Sequence, residues 1–140
     1  MSKVAVVYYT GSGNTEAIAE LVAEGARDKG ADVDVFSVDD FDANTAADYD
    51  AFALGCPASG AEELNEDEFV PVLDELEPKI EGKSVVLFGS YGHGGGEYQN
   101  DWQEREENAG LKVLGKLAIL EAPEEEADIE AAKELGAKLA

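Results

Sequence analysis

The sequence predicts an α/β protein in which a parallel sheet is covered by helices on both faces. Short runs of β-branched and apolar residues recur along the 140 residues, and most are followed by apolar residues at helical spacing. The connections between these segments are short. Because parallel strands are joined by right-handed crossovers, this alternation favours a sheet that is buried on both faces. A single domain over residues 1–140 is the expected organisation at this length.

Five segments have the composition of strands. The first, Val4–Tyr9, is a continuous apolar run, which is typical of a strand buried on both faces. The other four predicted strands are Asp32–Val38, Ala51–Cys56, Ser84–Gly89 and Lys112–Leu120.

Four helices are predicted between and after these strands. The first has the helical spacing of Ile18, Leu21, Val22, Gly25 and Ala26. It ends at Gly30, and the second helix begins near Val70, because Pro71 is tolerated only in a first turn. The third covers Tyr98–Asn108. The fourth is predicted to start at Pro123, which places the three glutamates that follow in the first turn, where the helix dipole favours anions.

The charge of the chain restricts its partners. It has 32 acidic and 10 basic residues and a formal net charge of -22. Nucleic acids and anionic membranes attract proteins of the opposite sign, so we expect neither as a partner. Basic protein surfaces are compatible with this charge, although the acidity could also serve only solubility or salt tolerance.

The cysteine and histidine counts exclude other classes. One cysteine, Cys56, and one histidine, His93, cannot form a disulfide framework or a structural zinc site, and we expect no metal. Cys56 ends a buried strand, which is typical of a small core residue rather than of a nucleophile. With no signal-like N-terminus and no apolar stretch of bilayer length, a cytoplasmic location is expected. We also expect a monomer.

The loop after the first strand has the composition of a phosphate site. Ligands of parallel α/β sheets bind beyond the carboxyl ends of the strands. Residues 10–15, Thr-Gly-Ser-Gly-Asn-Thr, place hydroxyls and backbone amides at a helix N-terminus. Asn14 replaces the lysine of the nucleoside triphosphate loop, and Glu16 replaces the third glycine of the dinucleotide motif. With no lysine or arginine here, a single phosphate held by amides and hydroxyls fits better than a polyphosphate.

Two more loops follow the third and fourth strands. Residues 55–62 include Gly60, whose backbone could turn either way, and Glu62, which could accept a hydrogen bond from a ring N–H. Residues 89–98 contain five glycines, which let the backbone approach a flat ligand closely. Taken alone, either loop could be an ordinary surface turn.

Three separated blocks together carry a resemblance to a known family. They are Tyr8–Glu16, Leu54–Gly60 and Leu87–Gly92. The chain resembles the short-chain flavodoxins of anaerobic bacteria over essentially its whole length. The resemblance implies a flavodoxin-like three-layer sandwich with strand order 2-1-3-4-5, one non-covalent FMN, and the transfer of low-potential electrons one at a time between redox proteins.

The resemblance also implies roles for particular residues. Thr10, Ser12, Asn14 and Thr15, with the amides of residues 11–15, would hold the phosphate. The Gly60 carbonyl would turn to accept a hydrogen bond from N5–H of the reduced flavin, and Glu62 would accept one from N3–H. The full set of implied FMN-binding residues is Tyr9, Thr10, Gly11, Ser12, Gly13, Asn14, Thr15, Pro57, Ala58, Ser59, Gly60, Glu62, Ser90, Tyr91, Gly92, His93 and Gly94.

An electron carrier without its own substrate is the leading interpretation, and basic faces of reductases and oxidases are its expected partners. The alternative is an FMN-dependent quinone or nitro reductase of the same fold. A domain that has lost FMN and serves as an interaction surface is another, because Ser59 and His93 stand where the family usually has methionine and tryptophan. A phospho-receiver module is disfavoured, since the end of the first strand lacks the acidic residues it requires.

Overall fold

The computed structural model describes residues 2–9, 13–58, 64–91, 96–121 and 123–140. Its strands are β1 (Lys3–Tyr8), β2 (Asp32–Ser37), β3 (Ala51–Gly55), β4 (Ser84–Tyr91) and β5 (Lys112–Leu120). Its α-helices are α1 (Asn14–Asp28), α2 (Val70–Leu76), α3 (Tyr98–Asn108) and α4 (Glu126–Ala137). Two 3-10 helices cover Ala43–Asp48 and Glu77–Lys79.

The five strands form one parallel sheet of order β2-β1-β3-β4-β5, which confirms the expected topology. In the register of the sheet, Tyr8 pairs with Gly55, and Gly55 pairs with Phe88. The carboxyl ends of β1, β3 and β4 therefore lie side by side. The loops that follow these three strands begin at one edge of the sheet, which we call the carboxyl edge; the opposite edge is the amino edge.

Helices cover both faces of the sheet and bury one apolar layer on each. Alternate residues of β1 point to opposite faces, so each strand contributes to both layers. The layer under α1 and α4 includes Val4, Val6, Ile18, Val22 and Leu135. The layer under α2 and α3 includes Phe52, Leu54, Leu73, Leu76 and Trp102.

Helices α1 and α4 pack backbone to backbone on the first face. A Cβ atom built on Gly136 would overlap the carbonyl oxygen of Val22, and one built on Gly25 would overlap that of Lys133. Both glycines are buried. The two helices can therefore approach this closely only because neither glycine carries a side chain.

The bounds of β1, β2 and β3 agree with the sequence prediction to within one residue, and three other features differ from it. The start of α4 at Pro123 is wrong: Glu125 is the extended N-cap residue, with φ -84° and ψ 147°, and the helix begins at Glu126. A proline is tolerated in a first turn but does not require one. Strand β4 extends two residues further than predicted, because Ser90 and Tyr91 continue the pairing with β5.

The 3-10 helix Ala43–Asp48 is the third difference. It begins after Asp42, whose side chain accepts a hydrogen bond from the Asn44 amide at 2.9 Å. Turns of this kind depend on local side chain to backbone bonds rather than on apolar spacing. Within the described residues, none of the helices is long and apolar enough to cross a membrane.

Candidate functional site

The turn from β1 into α1 presents the N-terminus of a long helix at the carboxyl edge. Gly13 is the N-cap residue and has a left-handed φ of 93°, which favours glycine. It supplies no side-chain hydrogen bond to the first turn of the helix. The first amides of a helix have no partner within it, so Asn14 and Thr15 direct N–H groups and the positive end of the dipole at this edge. Thr10, Gly11 and Ser12 lie outside the described residues.

Thr15 connects this helix to the end of β4. Its side chain is fully buried, and its Oγ1 lies 3.2 Å from the Oγ of Ser90. The Ser90 amide donates to the same Oγ1 at 3.4 Å. The two predicted site residues, 75 positions apart, are thereby brought together. The backbone amide of Thr15, in the first turn of α1, is a further group that this residue offers to the site.

The last residues of the first strand are held by the neighbouring strand and by α1. The Tyr9 amide donates to the Gly55 carbonyl at 2.9 Å. The Tyr8 hydroxyl donates to Glu16 at 2.7 Å. Burial and the bond to this carboxylate raise the pKa of Tyr8 to about 12, so its hydroxyl keeps its proton.

The start of the middle loop is fixed by hydrogen bonds from β4. The Cys56 amide donates to the Phe88 carbonyl at 3.0 Å, and the Ala58 amide donates to the Ser90 carbonyl at 2.9 Å. Pro57 between them is half-buried. Cys56 is fully buried, which confirms its expected place in the core, and this burial raises the pKa of its thiol to about 12. Ser59, Gly60 and Glu62 lie outside the described residues.

The described residues on either side of the third loop, Tyr91 and Gly96, have defined surroundings. The Tyr91 carbonyl accepts a hydrogen bond from the Glu121 amide at 2.9 Å. Gly96 has φ 78°, and a Cβ atom there would lie 2.6 Å from the Cβ of Ala118, so this position requires glycine. Gly92, His93 and Gly94 lie outside the described residues.

Two residues at this edge were not predicted from the sequence. Asn65 holds the turn that leads into α2: its side-chain oxygen accepts from the Glu68 amide at 2.7 Å and from the Phe69 amide at 3.3 Å. An asparagine shortly before a predicted helix is a capping signal that could have identified it. Tyr98 donates its hydroxyl proton to the Cys56 carbonyl at 2.8 Å, a contact with no local sequence signal.

Charge is distributed unequally between the two edges of the sheet. Eight of the ten basic side chains lie at the starts of strands or the ends of helices, which places them at the amino edge: Lys3, Arg27, Lys29, Lys79, Lys83, Arg105, Lys112 and Lys138. Lys116 and Lys133 lie within β5 and α4. The described part of the carboxyl edge has no lysine or arginine and many acidic residues. These acidic residues include Glu16, Asp39, Asp40, Glu66, Asp67, Glu68, Glu97, Asp101 and Glu121.

Comparisons with known proteins agree with this arrangement. The family model described as flavodoxin matches residues 6–134. The flavodoxin of Megasphaera elsdenii is 41% identical over 133 residues, which is 95% of each chain. The flavodoxin of Clostridium beijerinckii is 41% identical over 135 residues, which cover 96% of this chain and 97% of the relative.

Solved structures give the same result. The solution structure of two-electron reduced Megasphaera elsdenii flavodoxin matches with a TM-score of 0.88 and 39% identity, covering 96% of this chain and 98% of that one. A flavodoxin from the domain Archaea matches with a TM-score of 0.89 and 31% identity over 99% and 96% of the two chains. Near-complete coverage in both directions supports the short-chain type and does not favour a reductase or a domain without flavin. The chain therefore belongs to the flavodoxin family, and it is an FMN-binding electron-transfer protein rather than an enzyme with a substrate of its own.

Proposed function

We propose that residues 1–140 form one FMN-binding domain whose cofactor lies across the three loops of the carboxyl edge and passes low-potential electrons singly between redox proteins. The observation that carries the proposal is the central place of Ser90. Its hydroxyl and amide contact Thr15 of the first block, and its carbonyl accepts from Ala58 of the second. One residue of the third block thus links all three.

The described residues fit the phosphate end of FMN. A helix N-terminus whose N-cap residue is glycine offers backbone amides to an anion. There is also space beside it, because a Cβ atom built on Gly13 would have no described atom within 4 Å outside the adjoining chain. Thr10, Ser12 and Asn14 would add hydroxyl and amide groups, with backbone amides from Gly11 to Thr15. Thr15 would contribute its amide and its hydroxyl, which also lies 3.2 Å from the Ser90 hydroxyl.

The other two loops would hold the ring. Pro57, Ala58, Ser59, Gly60 and Glu62 would lie along one side of it, with the Gly60 carbonyl and the Glu62 carboxylate as acceptors for ring N–H groups. A second set would contact it from the third loop and the first strand: Tyr9, Ser90, Tyr91, Gly92, His93 and Gly94. Bound FMN supplies the one-electron chemistry, while the protein orients it and sets its surroundings.

The phosphate assignment predicts that FMN binds at least about 100-fold more tightly than riboflavin, because charge-assisted bonds to the phosphate contribute roughly 1.5 to 3 kcal/mol each. Fluorescence titration of the apoprotein with both flavins measures the ratio. Thr10→Ala should weaken FMN binding and leave riboflavin binding unchanged. Thr45→Ala is the control, since Thr45 is exposed on a 3-10 helix and bonds only locally, to Asp42. Equal affinities for the two flavins would contradict the phosphate site. An apoprotein that does not bind FMN would overturn the proposed function.

The acidic carboxyl edge favours basic faces of reductases and oxidases as partners. Opposite charges on two proteins steer their encounter, and salt screens this attraction. The rate of electron transfer to a basic redox protein should therefore fall several-fold between low and physiological ionic strength. Stopped-flow oxidation of the reduced protein measures this rate, with a neutral acceptor as the control. The same salt dependence for both acceptors would argue against electrostatic steering. A monomeric state and a cytoplasmic location are part of the proposal, and size-exclusion chromatography tests the first.

A further inference from the structure

Tyr98 joins two of the loops that would hold the flavin ring. It is the first residue of α3 and therefore follows the third loop directly. Its side chain is 3% exposed, and its hydroxyl donates to the carbonyl oxygen of Cys56 at 2.8 Å. Cys56 is the residue that leads from β3 into the middle loop. A single hydroxyl therefore connects the end of one loop to the beginning of the other.

The position of this hydroxyl is fixed from the far side by β5. The side-chain amide of Gln99 donates to the Leu117 carbonyl at 2.8 Å and lies 3.4 Å from the Tyr98 hydroxyl. Gln99 is 2% exposed, and the bonds from Gln99 to Tyr98 and from Tyr98 to Cys56 are buried. A Cβ atom on Gly89 would overlap both the Cys56 carbonyl and the Tyr98 hydroxyl, which leaves this contact little freedom to move.

A hydrogen bond to the Cys56 carbonyl can orient the backbone at the start of the middle loop. Pro57 has no amide hydrogen and cannot help to anchor the chain as a donor. The start of the loop is therefore oriented by the Cys56 peptide groups and by the Ala58 amide, which donates to Ser90. Of these, the bond to the Cys56 carbonyl is the one that comes from α3, and a shift of that helix would move the loop with it.

We propose that Tyr98 is a positioning residue for the flavin: through the Cys56 carbonyl, its hydroxyl sets the position of the middle loop relative to the third loop, and so tunes ring affinity and the one-electron potentials. The inference rests on the proposed function, because it concerns the same ring site. It assigns no contact between Tyr98 and the cofactor. The effect is transmitted through the backbone of Cys56.

The test is Tyr98→Phe, which removes the hydroxyl and keeps the ring. Its matched control is Tyr49→Phe. Tyr49 is also buried, at 6% exposure, and donates to Asp34 at 2.8 Å, but it precedes β3 and lies at the amino edge. Each variant loses a hydroxyl group and the hydrogen bonds that it makes, so a merely structural role would lower the thermal stability of both apoproteins without a selective effect on flavin.

We expect Tyr98→Phe to raise the dissociation constants of FMN and riboflavin by the same factor of about ten, because the ring is affected and the phosphate is not. Both one-electron potentials should be measured by redox titration, and at least one should shift. Amide exchange at Ala58 in the apoprotein should become faster. Tyr49→Phe should leave the flavin dissociation constants, the one-electron potentials and the Ala58 exchange rate at the parent values.

The outcomes separate the inference from the proposed function. A parent protein that binds no FMN overturns the proposed function. A parent that binds FMN, together with a Tyr98→Phe variant that matches Tyr49→Phe in affinities, potentials and exchange, overturns only the role of Tyr98. If Tyr98→Phe does not fold, Gln99→Met removes the bond to Leu117 and should shift the same three quantities in the same direction by a smaller amount. Parent values for Gln99→Met would then overturn the role.

Discussion

Replacing Glu106 by glutamine should stabilise the protein at alkaline pH and remove part of the pH dependence of its unfolding free energy. Glu106 is fully buried, and within the described residues neither carboxyl oxygen has a hydrogen-bond partner. Burial, reinforced by the neighbouring Glu77, raises the pKa of Glu106 to about 9. The side chain is therefore protonated in the folded protein at neutral pH, and glutamine has the same shape and the same charge.

The charges around Glu106 explain why Arg105 does not ionise it. The Arg105 guanidinium donates to Glu77 at 2.8 Å and 3.0 Å and to Asp74 at 2.8 Å, whereas its Nε lies 3.8 Å from Glu106. Two carboxylates on α2 and the adjoining 3-10 helix thus take up the hydrogen bonds of the cation. The positive charge of Arg105 lowers the pKa of Glu106, but burial outweighs this effect.

The direction of the pH effect on stability follows from the pKa of Glu106 in the unfolded chain and in the folded protein. In the unfolded chain Glu106 loses its proton near its ordinary pKa of 4.5, while in the folded protein it does so near 9. Its contribution to stability is therefore fully present below the first value and is lost as pH rises toward the second. The slope is on the order of 1 kcal/mol per pH unit.

Urea denaturation of the apoprotein from about pH 5 to about pH 9 measures this contribution. The difference in unfolding free energy between Glu106→Gln and the parent should grow steadily over this range. Glu107→Gln is the control, because Glu107 is exposed on the next position of the same helix. The unfolding free energy of Glu107→Gln should have the same pH dependence as that of the parent, because the general repulsion between acidic groups is common to both proteins. Parallel curves for Glu106→Gln would show that Glu106 is ionised in the folded state.

The fold could be predicted largely from local patterns. The bounds of α3 and β5 agree with the sequence prediction, and Gly110, with a left-handed φ of 89°, marks the turn between them. The end of β4 could not be predicted this way. Ser90 and Tyr91 are in the strand because β5 is long enough to pair with them, and this length is a property of another segment of the chain.

The candidate site could be predicted as three loops at one edge, because parallel topology places them together. Contacts between residues that are far apart in the sequence could not be predicted. Thr15 has the sequence context of a phosphate ligand, yet its hydroxyl is buried against Ser90. Glu106 lies in a run of charged residues that resembles a solvated helix face. Only its position four residues after Trp102, on the buried side of α3, distinguishes it from Glu104 and Glu107.

Gly136→Ala should destabilise the protein by about 3 kcal/mol, although alanine is the better helix former by about 1 kcal/mol. The added Cβ would overlap the Val22 carbonyl, and the backbone of α1 can give way only by moving the whole helix. The first turn of α1 is bonded to β4 through Thr15 and Ser90, which resists such a movement. Chemical denaturation of the apoprotein measures the loss.

Gly25→Ala is the reciprocal change, since its Cβ would overlap the Lys133 carbonyl in the same helix crossing. It should lower the unfolding free energy by a similar amount. The double variant should lose less unfolding free energy than the sum of the two single variants. Once the first methyl group has separated the helices, the second meets less resistance. Ala137→Gly is the control at the neighbouring, half-buried position of α4, where loss of helix propensity alone should cost about 1 kcal/mol or less. A Gly136→Ala variant at least as stable as the parent would mean that α1 and α4 are further apart than their glycines indicate, because helix propensity would then be the only effect left.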